Sequence, residues 1–546
     1  MVDGDQLIVG KCLVSGGSTA ADEEVADADQ AGHQKDNRQC GNPWRLEHDY
    51  NLDHVIWKEN DDDRKRRTSM TATEATPAPP AESPSSPART KKTNWFAAFW
   101  RWHFYGSLIV IPVLFCLAVT GMTYMFRAEV DSLAHPGVLK VPVADGAERA
   151  ALSAQEAAVR AEFPDRPILS VQDGTGERAT LFVAGLEDGS STNIYVNPYT
   201  STVTGELRQD QLISTWAERI HGDLLIGEDG VGDRIVELGA SWAIVLTITG
   251  FIIFFLGRRA RGGAQAKGKR GARLRSLHAI VGLPVGLGIL LLVLSGLPWT
   301  GFWGAKAQQV TAQGGSALWG EDPGAESTIR QQIEETDGQS APAGWASGNA
   351  PQGTSTGSGT PISIDKAVTA AQAQGAPGPY LVMYPEGEKG VFSVMSSQWY
   401  NVGNPAESDV SKETTIHVDQ YSGDVVGEYG YHDYSAAAKV VSQGIALHEG
   451  RRLGTANTIL STLFCLAVIF MCVTGPMMWW TRRTTASGLA APRAKLPVWG
   501  NWTLFGAMAV LGVFLPLFGL SLLIILALDQ LLIRRLPALR SFFGTV

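Results

Sequence analysis

The chain has 546 residues, a formal net charge of −9 and 45% hydrophobic residues, ordinary totals for a globular protein. The apolar residues, however, are gathered into long blocks separated by polar, Gly- and Ser-rich stretches, which excludes a single soluble globule. No basic patch with interleaved aromatics occurs, which removes nucleic-acid binding.

Residues 1–93 show neither helical nor strand periodicity and are rich in Pro, Ala, Ser and Thr over 71–90, so they read as a disordered tail. Met70 opens MTATEATPAPP, and residues 1–69 are either a true tail or an upstream extension of the reading frame. No signal-peptide core is found there. His33, His48 and His54 lie in this tail, as do Cys12 and Cys40. The other three cysteines, Cys116, Cys465 and Cys472, fall in apolar runs; there is no CxxC or CxxCH, so any haem is non-covalent.

A bilayer span takes roughly 20 apolar residues. The first lies in 94–128, beginning at His103. An extracytoplasmic segment, 129–215, follows, with a helical pattern (SAQEAAVRAEFP, Ser153 as its cap) and strand-like pieces ending in STNIYVNPYTSTVTGEL. Residues 216–257 hold His221 and the second span, 258–275 a loop with eight Lys and Arg and no acid, and 276–304 the third span, from His278. Residues 305–360 are Gly/Ser-rich and read as a flexible excursion. The second extracytoplasmic segment, 361–435, repeats the order of the first: helix ISIDKAVTAAQAQG capped by Ser363, then strands, then TTIHVDQYSGDVVGEYG. Residues 436–481 hold His448 and the fourth span, and 482–497 a basic loop. Residues 498–534 are too long for one upright span; Pro516 and Gly519 divide them into two short spans, with one kinked helix as the alternative. The tail 535–546 is again basic. All the Lys/Arg-rich loops fall on one side, the cytoplasm, if there are six spans and a cytoplasmic N-terminus. The fold class is thus an all-α polytopic membrane bundle of about six spans, internally repeated, with two extracytoplasmic α+β domains.

Within the spans the histidines are paired by position. His103 precedes Thr120-Gly121 by the same spacing as His278 precedes Ser295-Gly296, and both helices run outward, so these two rings lie at one depth near the cytoplasmic face. His221 precedes Thr249-Gly250, and His448 precedes Thr474-Gly475, at spacings that agree to about two residues, both near the outer face. Facing helices with one histidine each are what bis-imidazole haem ligation requires. The expected cofactors are therefore two b haems, with iron held by His103, His278, His221 and His448. Gly106, Gly282, Gly286 and Gly288 are expected to admit the rings. His221 and His448 sit in more polar surroundings and read also as surface or substrate-contacting residues. Glu218 and Asp223 flank His221 either as orienting groups or as an exposed helix face. Arg451 and Arg452 read as partners of an anion or as a solvated charge run. His135, His417 and His432, the last beside Tyr431, Asp433 and Tyr434, are extracytoplasmic. Asp529 is the notable acid of the spans, too few for an ion-coupled transporter.

RWHFYGSLIVIPVLFCLAVTGM, the two domains ending in TSTVTGEL and YSGDVVGEY, LHAIVGLPVGLGILLLVLSGL, and ALHEGRRLG followed by CVTGPMMWWTRR together resemble the PepSY-associated transmembrane family, over roughly 95–540. The resemblance implies PepSY folds for the two outer domains and a place in a bacterial cytoplasmic membrane. It also implies kinship with iron-regulated proteins, some of them di-haem reductases of ferric siderophores. A haem-dependent oxidoreductase of that kind would take electrons from a cytoplasmic reductase or a quinol, since no nicotinamide or flavin motif is present. The alternative is a membrane-anchored PepSY module that binds peptides or a secreted peptidase without redox chemistry.

Overall fold

The computed structural model describes residues 95–226, 230–258, 271–297, 300–304, 306, 327–328, 351–396, 409–434, 436–482, 488–489 and 502–544. The expected disordered tail, most of the two basic loops and most of the flexible excursion lie outside the described residues.

Among the described residues five helices are long and apolar enough to cross a membrane, which makes this a multi-pass membrane protein. We denote them with the others in chain order. Helix α1 (Trp95–Met125) continues into α2 (Arg127–Ala134). The outer segment then contributes α3 (Leu152–Glu162), and α4 (Ile213–Asp223) leads to the second long helix, α5 (Val231–Leu256). The third is α6 (Ala272–Gly296). After α7 (Ile364–Ala373), α8 (Ala436–His448) leads to the fourth, α9 (Thr455–Arg482). The bundle closes by α1 packing on α5 and α9 while α6 packs on the same two. Small residues allow this: a Cβ at Gly239 would fall 2.7 Å from Val113, and one at Gly286 2.7 Å from Phe251. Ile280, Leu287, Leu291 and Leu294 of α6 and Leu460 and Leu463 of α9 are each more than half exposed, the stripe that lipid covers.

The last apolar stretch is a fold-back. Helix α10 (Trp502–Phe514) ends at Leu515, and Pro516 opens α11 (Pro516–Leu528), which runs on through a π turn to Ile533. In one straight helix residues seven apart would be separated by about 10 Å. Here the backbones of Gly512 and Gly519 touch, a Cβ on Gly519 falling 2.5 Å from the Gly512 carbonyl oxygen, so the chain reverses. Thus Pro516 sets the break, and Gly519 permits the close approach. The hairpin leans on α5, where Trp242 Nε1 donates to Ser521 Oγ at 3.0 Å and stacks edge-on with Phe518. The final helix α12 (Pro537–Phe543) returns to the start of α1: Arg101 donates to the Gly544 carbonyl at 3.0 Å and Tyr105 to that of Phe543 at 2.5 Å.

The other end of the bundle carries an antiparallel sheet. Strands β1 (Ile168–Gln172), β2 (Thr180–Gly185), β3 (Ser191–Asn197) and β4 (Thr202–Leu207) come from the first outer segment. Strands β5 (Tyr380–Met383), β6 (Val391–Ser396), β7 (Thr414–Asp419) and β8 (Val425–Gly430) come from the second. The two segments, expected as separate domains, form one eight-stranded sheet in the order β8-β7-β6-β5-β1-β2-β3-β4. The seam is β1 on β5, with Val171 opposite Val382. Apart, each half would present an open edge strand; pairing them satisfies both rows of backbone groups. Alternation places Phe182, Ile194, Val382 and Ile416 on one face, where α3 and α7 share a single core over both halves.

Two expectations about this region change. Ser153 lies inside α3 rather than at its cap, and its N–H is taken by Asp365 of α7, 3.3 Å from both carboxylate oxygens. Ser363 does cap α7, accepting from Lys366 N at 3.4 Å. The helix of one half is therefore capped by the other half. Asp365→Ala is expected to lower thermal stability in detergent by about 1 kcal/mol, the size of a lost helix cap, while Ser153→Ala stays within about 0.5 kcal/mol. The end of the Gly/Ser-rich excursion is packed, not free. Ser355 exchanges backbone and hydroxyl hydrogen bonds with Lys389, Gly390 and Gln420, and Thr356 N donates to Asp419 at 2.9 Å.

Candidate functional site

His103 stands in the third turn of α1 and His278 in the second turn of α6, both at the end of the bundle away from the sheet. Their rings line one cavity of about 550 Å³ between α1, α5, α6 and α9. Phe104, Leu114, Phe251, Val285 and Met471 give it an apolar wall, and among the described residues that line it Arg275 is the one fixed positive charge.

His221 closes the last turns of α4, which ends at Leu224 in left-handed conformation, and His448 is the last residue of α8. These short helices bring the two rings together at the sheet end, with centroids 6.3 Å apart and planes at 85°. Burial holds His221 down to about 4, with a smaller contribution from His448 beside it; burial likewise lowers His448. Both rings are neutral at pH 7, the state a metal ligand requires.

Depth follows from the helices themselves. The His221 ring lies against Gly121 of α1, eighteen residues beyond His103, and the His448 ring against Gly296 of α6, eighteen residues beyond His278. Eighteen residues of α-helix rise about 27 Å, close to the roughly 30 Å of a hydrocarbon core. One pair therefore lies toward each face.

Each ring has the same kind of seat. His103 Nδ1 lies 3.2 Å from Thr249 Oγ1 and 3.0 Å from the Leu246 carbonyl oxygen. His221 Nδ1 lies 3.0 Å from Thr120 Oγ1, and His278 Nδ1 2.9 Å from Thr474 Oγ1. His448 Nδ1 lies 3.2 Å from Ser295 Oγ and 3.1 Å from the Leu292 carbonyl oxygen. In three cases the next residue is a glycine on which the ring rests: a Cβ at Gly121, Gly250 or Gly296 would fall 3.1, 3.2 or 3.0 Å from an imidazole Cε1. Gly475 departs from this, facing Ile111. The spacing to these Ser/Thr-Gly dipeptides serves to align the helices in the sequence; that each is the seat of another helix's histidine emerges only in three dimensions.

Other expectations are redirected. Gly106, Gly286 and Gly288 meet Trp242, Phe251 and Phe464, and Gly282 meets Met471, so they serve helix packing; Gly282 and Gly286 also border the cavity. Arg451 is neither solvated nor open to an outside anion, being 2% exposed and paired with Glu449 at 2.6 Å and Glu413 at 3.7 Å. Asp223 accepts from Leu225 N in the turn that ends α4, leaving the His221 ring to Thr120. His432 is exposed and pairs with Asp433, His135 bonds the Gln211 carbonyl, and His417 is buried in β7 against Ser393. Asp529 pairs with Arg534. A second acid, Glu237, is buried within α5, where it accepts the Phe302 N–H while Asp233 accepts that of Gly301; together they cap the turn after α6. The run of apolar residues around Glu237 hides it from a hydropathy reading.

Among the described residues no three or more His, Cys, Asp or Glu side chains gather as a site for a bare ion. Two imidazoles per site fit a porphyrin iron, whose other four ligands belong to the macrocycle. Two nitrogens about 2 Å from one metal place imidazole centres roughly 6 Å apart, and the outer pair has that spacing. At the inner pair, an apolar slot with one cation suits a planar hydrophobic group bearing carboxylates.

The family model described as the PepSY-associated TM region matches residues 100–482, a stretch that includes all four histidines. No curated protein matches the chain.

Proposed function

The chain belongs to the PepSY-associated transmembrane family, and from that premise we propose that it is a di-haem b electron-transfer protein, reducing an extracytoplasmic ferric chelate such as a siderophore. The observation that carries this reading is the pairing of four histidines from four separate helical segments. His221 and His448 stand 6.3 Å apart, and His103 and His278 face one apolar cavity. When bound, each haem supplies a one-electron carrier. The protein's part is to hold neutral imidazoles toward each other, to exclude water with Phe104, Phe251 and Met471, and to offer Arg275 to an anionic group. The donor on the inner side is a separate reductase or a quinol.

The same reading gives the chain six crossings in a bacterial cytoplasmic membrane with both termini inside. The docking of the 543–544 backbone on Arg101 supports an even number, because α1 begins where α12 ends. Helix α10, thirteen residues and about 20 Å long, is the short crossing that brings the number to six, fifth in chain order. The eight-stranded sheet, made of two PepSY domains, then covers the outer pair.

Protein purified in mild detergent from haem-replete cells is expected to be red, with a low-spin b-type reduced spectrum at about two haems per chain. A colourless preparation would leave only a membrane-tethered binding module.

A further inference from the structure

The four Ser/Thr-Gly seats share a directional logic. Each hydroxyl has one proton and a carbonyl one turn back to receive it: Thr120 donates to Cys116 at 2.8 Å, Thr249 to Val245 at 2.9 Å, Thr474 to Phe470 at 2.8 Å and Ser295 to Leu292 at 3.1 Å. With that proton committed, the hydroxyl oxygen faces its imidazole as an acceptor. The Leu246 and Leu292 carbonyls facing His103 and His448 only accept. All four Nδ1 atoms must therefore donate, which leaves the lone pair of each ring on Nε2.

We propose that Thr120, Thr249, Ser295 and Thr474 are positioning residues that lock the four histidines in the Nδ1–H tautomer and so present Nε2 to the haem iron. The proposal rests on the di-haem reading above. A second-sphere acceptor of this kind fixes ring orientation and raises the basicity of the ligating nitrogen. The seats also explain how the repeat works. Within the first half, α1 seats the ring of α4 and α5 seats the ring of α1. Within the second half, α6 seats the ring of α8 and α9 seats the ring of α6. Each histidine is aimed by its own half, and each pair is completed across the two halves.

The seats are not equally redundant. His103 and His448 each have a carbonyl as well as a hydroxyl, whereas among the described residues Thr474 is the one acceptor for His278. Thr474→Val, which keeps the shape and removes the acceptor, is expected to weaken haem binding at the inner site about tenfold and to change the g-value spread of that haem's low-spin electron paramagnetic resonance signal. Thr474→Ser restores both, and Thr249→Val changes them less. Wild-type binding and an unchanged signal in Thr474→Val would overturn the proposal. A second measurement separates it from the haem reading. In the full-length protein made without haem and labelled with ¹⁵N-histidine, nuclear magnetic resonance should report Nδ1–H rings, with one moving toward Nε2–H in Thr474→Val. A colourless wild-type protein showing these tautomers defeats the haem reading and leaves the seats standing. Rings in the Nε2–H form defeat the seats whatever the colour.

Discussion

On the di-haem reading, alanine at His278 is expected to leave a folded protein carrying about half of the wild-type haem, because one of the two histidines that would hold the inner haem is lost and a low-spin b haem needs both. His103→Ala should have the same effect, since the two rings line one cavity. The double variant His103→Ala/His278→Ala should be no worse than either single one, as two ligands of one iron act as a unit. His278→Ala combined with His448→Ala should remove both haems, because these residues belong to different pairs. Haem per chain, read from the pyridine haemochrome, distinguishes the cases. Equal loss in the two kinds of double variant would mean that the pairs are not separate sites. His432→Ala is the control: that ring is exposed and engaged with Asp433, and its removal should leave haem content unchanged.

The pairing was accessible to sequence reasoning for a definite reason. Depth in a membrane is one-dimensional, so equal spacing from His103 to Gly121 and from His278 to Gly296 becomes equal height once both runs are read as helices. Hydropathy placed the long helices for the same reason. Lateral relations have no such signal. Nothing local to Ser170–Gln172 says that it pairs with Leu381–Met383, two hundred residues away, so the outer segments read as two domains although they share one sheet. Asp365 capping the helix that contains Ser153 is a consequence of that seam, and for that helix the local sequence offers the nearer serine instead. Glycines in α1 and α6 look alike in a string of letters; only neighbours distinguish Gly121 and Gly296, which seat imidazoles, from Gly106 and Gly288, which seat Trp242 and Phe464. Arg451 was obscured by its company, since ALHEGRRL reads as a solvated charge run unless the partner, Glu413 just before β7, is known.

That buried arginine is the basis of the largest stability effect expected here. Arg451 lies three residues beyond His448, in the turn from α8 to α9, and its guanidinium holds Glu449 and Glu413. Arg451→Met keeps the bulk but takes the counter-charge from the partly exposed Glu449 and a polar partner from the buried Glu413, and a buried polar group left without its partner lowers stability by about 1–3 kcal/mol. Glu413→Gln should behave differently. Burial, the dominant influence, pushes the Glu413 carboxyl up to about 8 against the opposing pull of Arg451, so at pH 7 it is mostly protonated and Gln resembles it. Between its ordinary value of 4.5 and about 8, the folded protein keeps a proton on Glu413 that the unfolded chain has released. Its folded stability therefore falls as pH rises through that window and is fully present below it. In Glu413→Gln this loss should disappear, which thermal melts at pH 5 and pH 8.5 would reveal; an unchanged pH slope would show that Glu413 titrates normally. Because the turn that Arg451 anchors also ends the helix of His448, Arg451→Met should loosen the outer pair and spare the inner one. Haem lost equally from both sites would instead mark a global collapse of the fold.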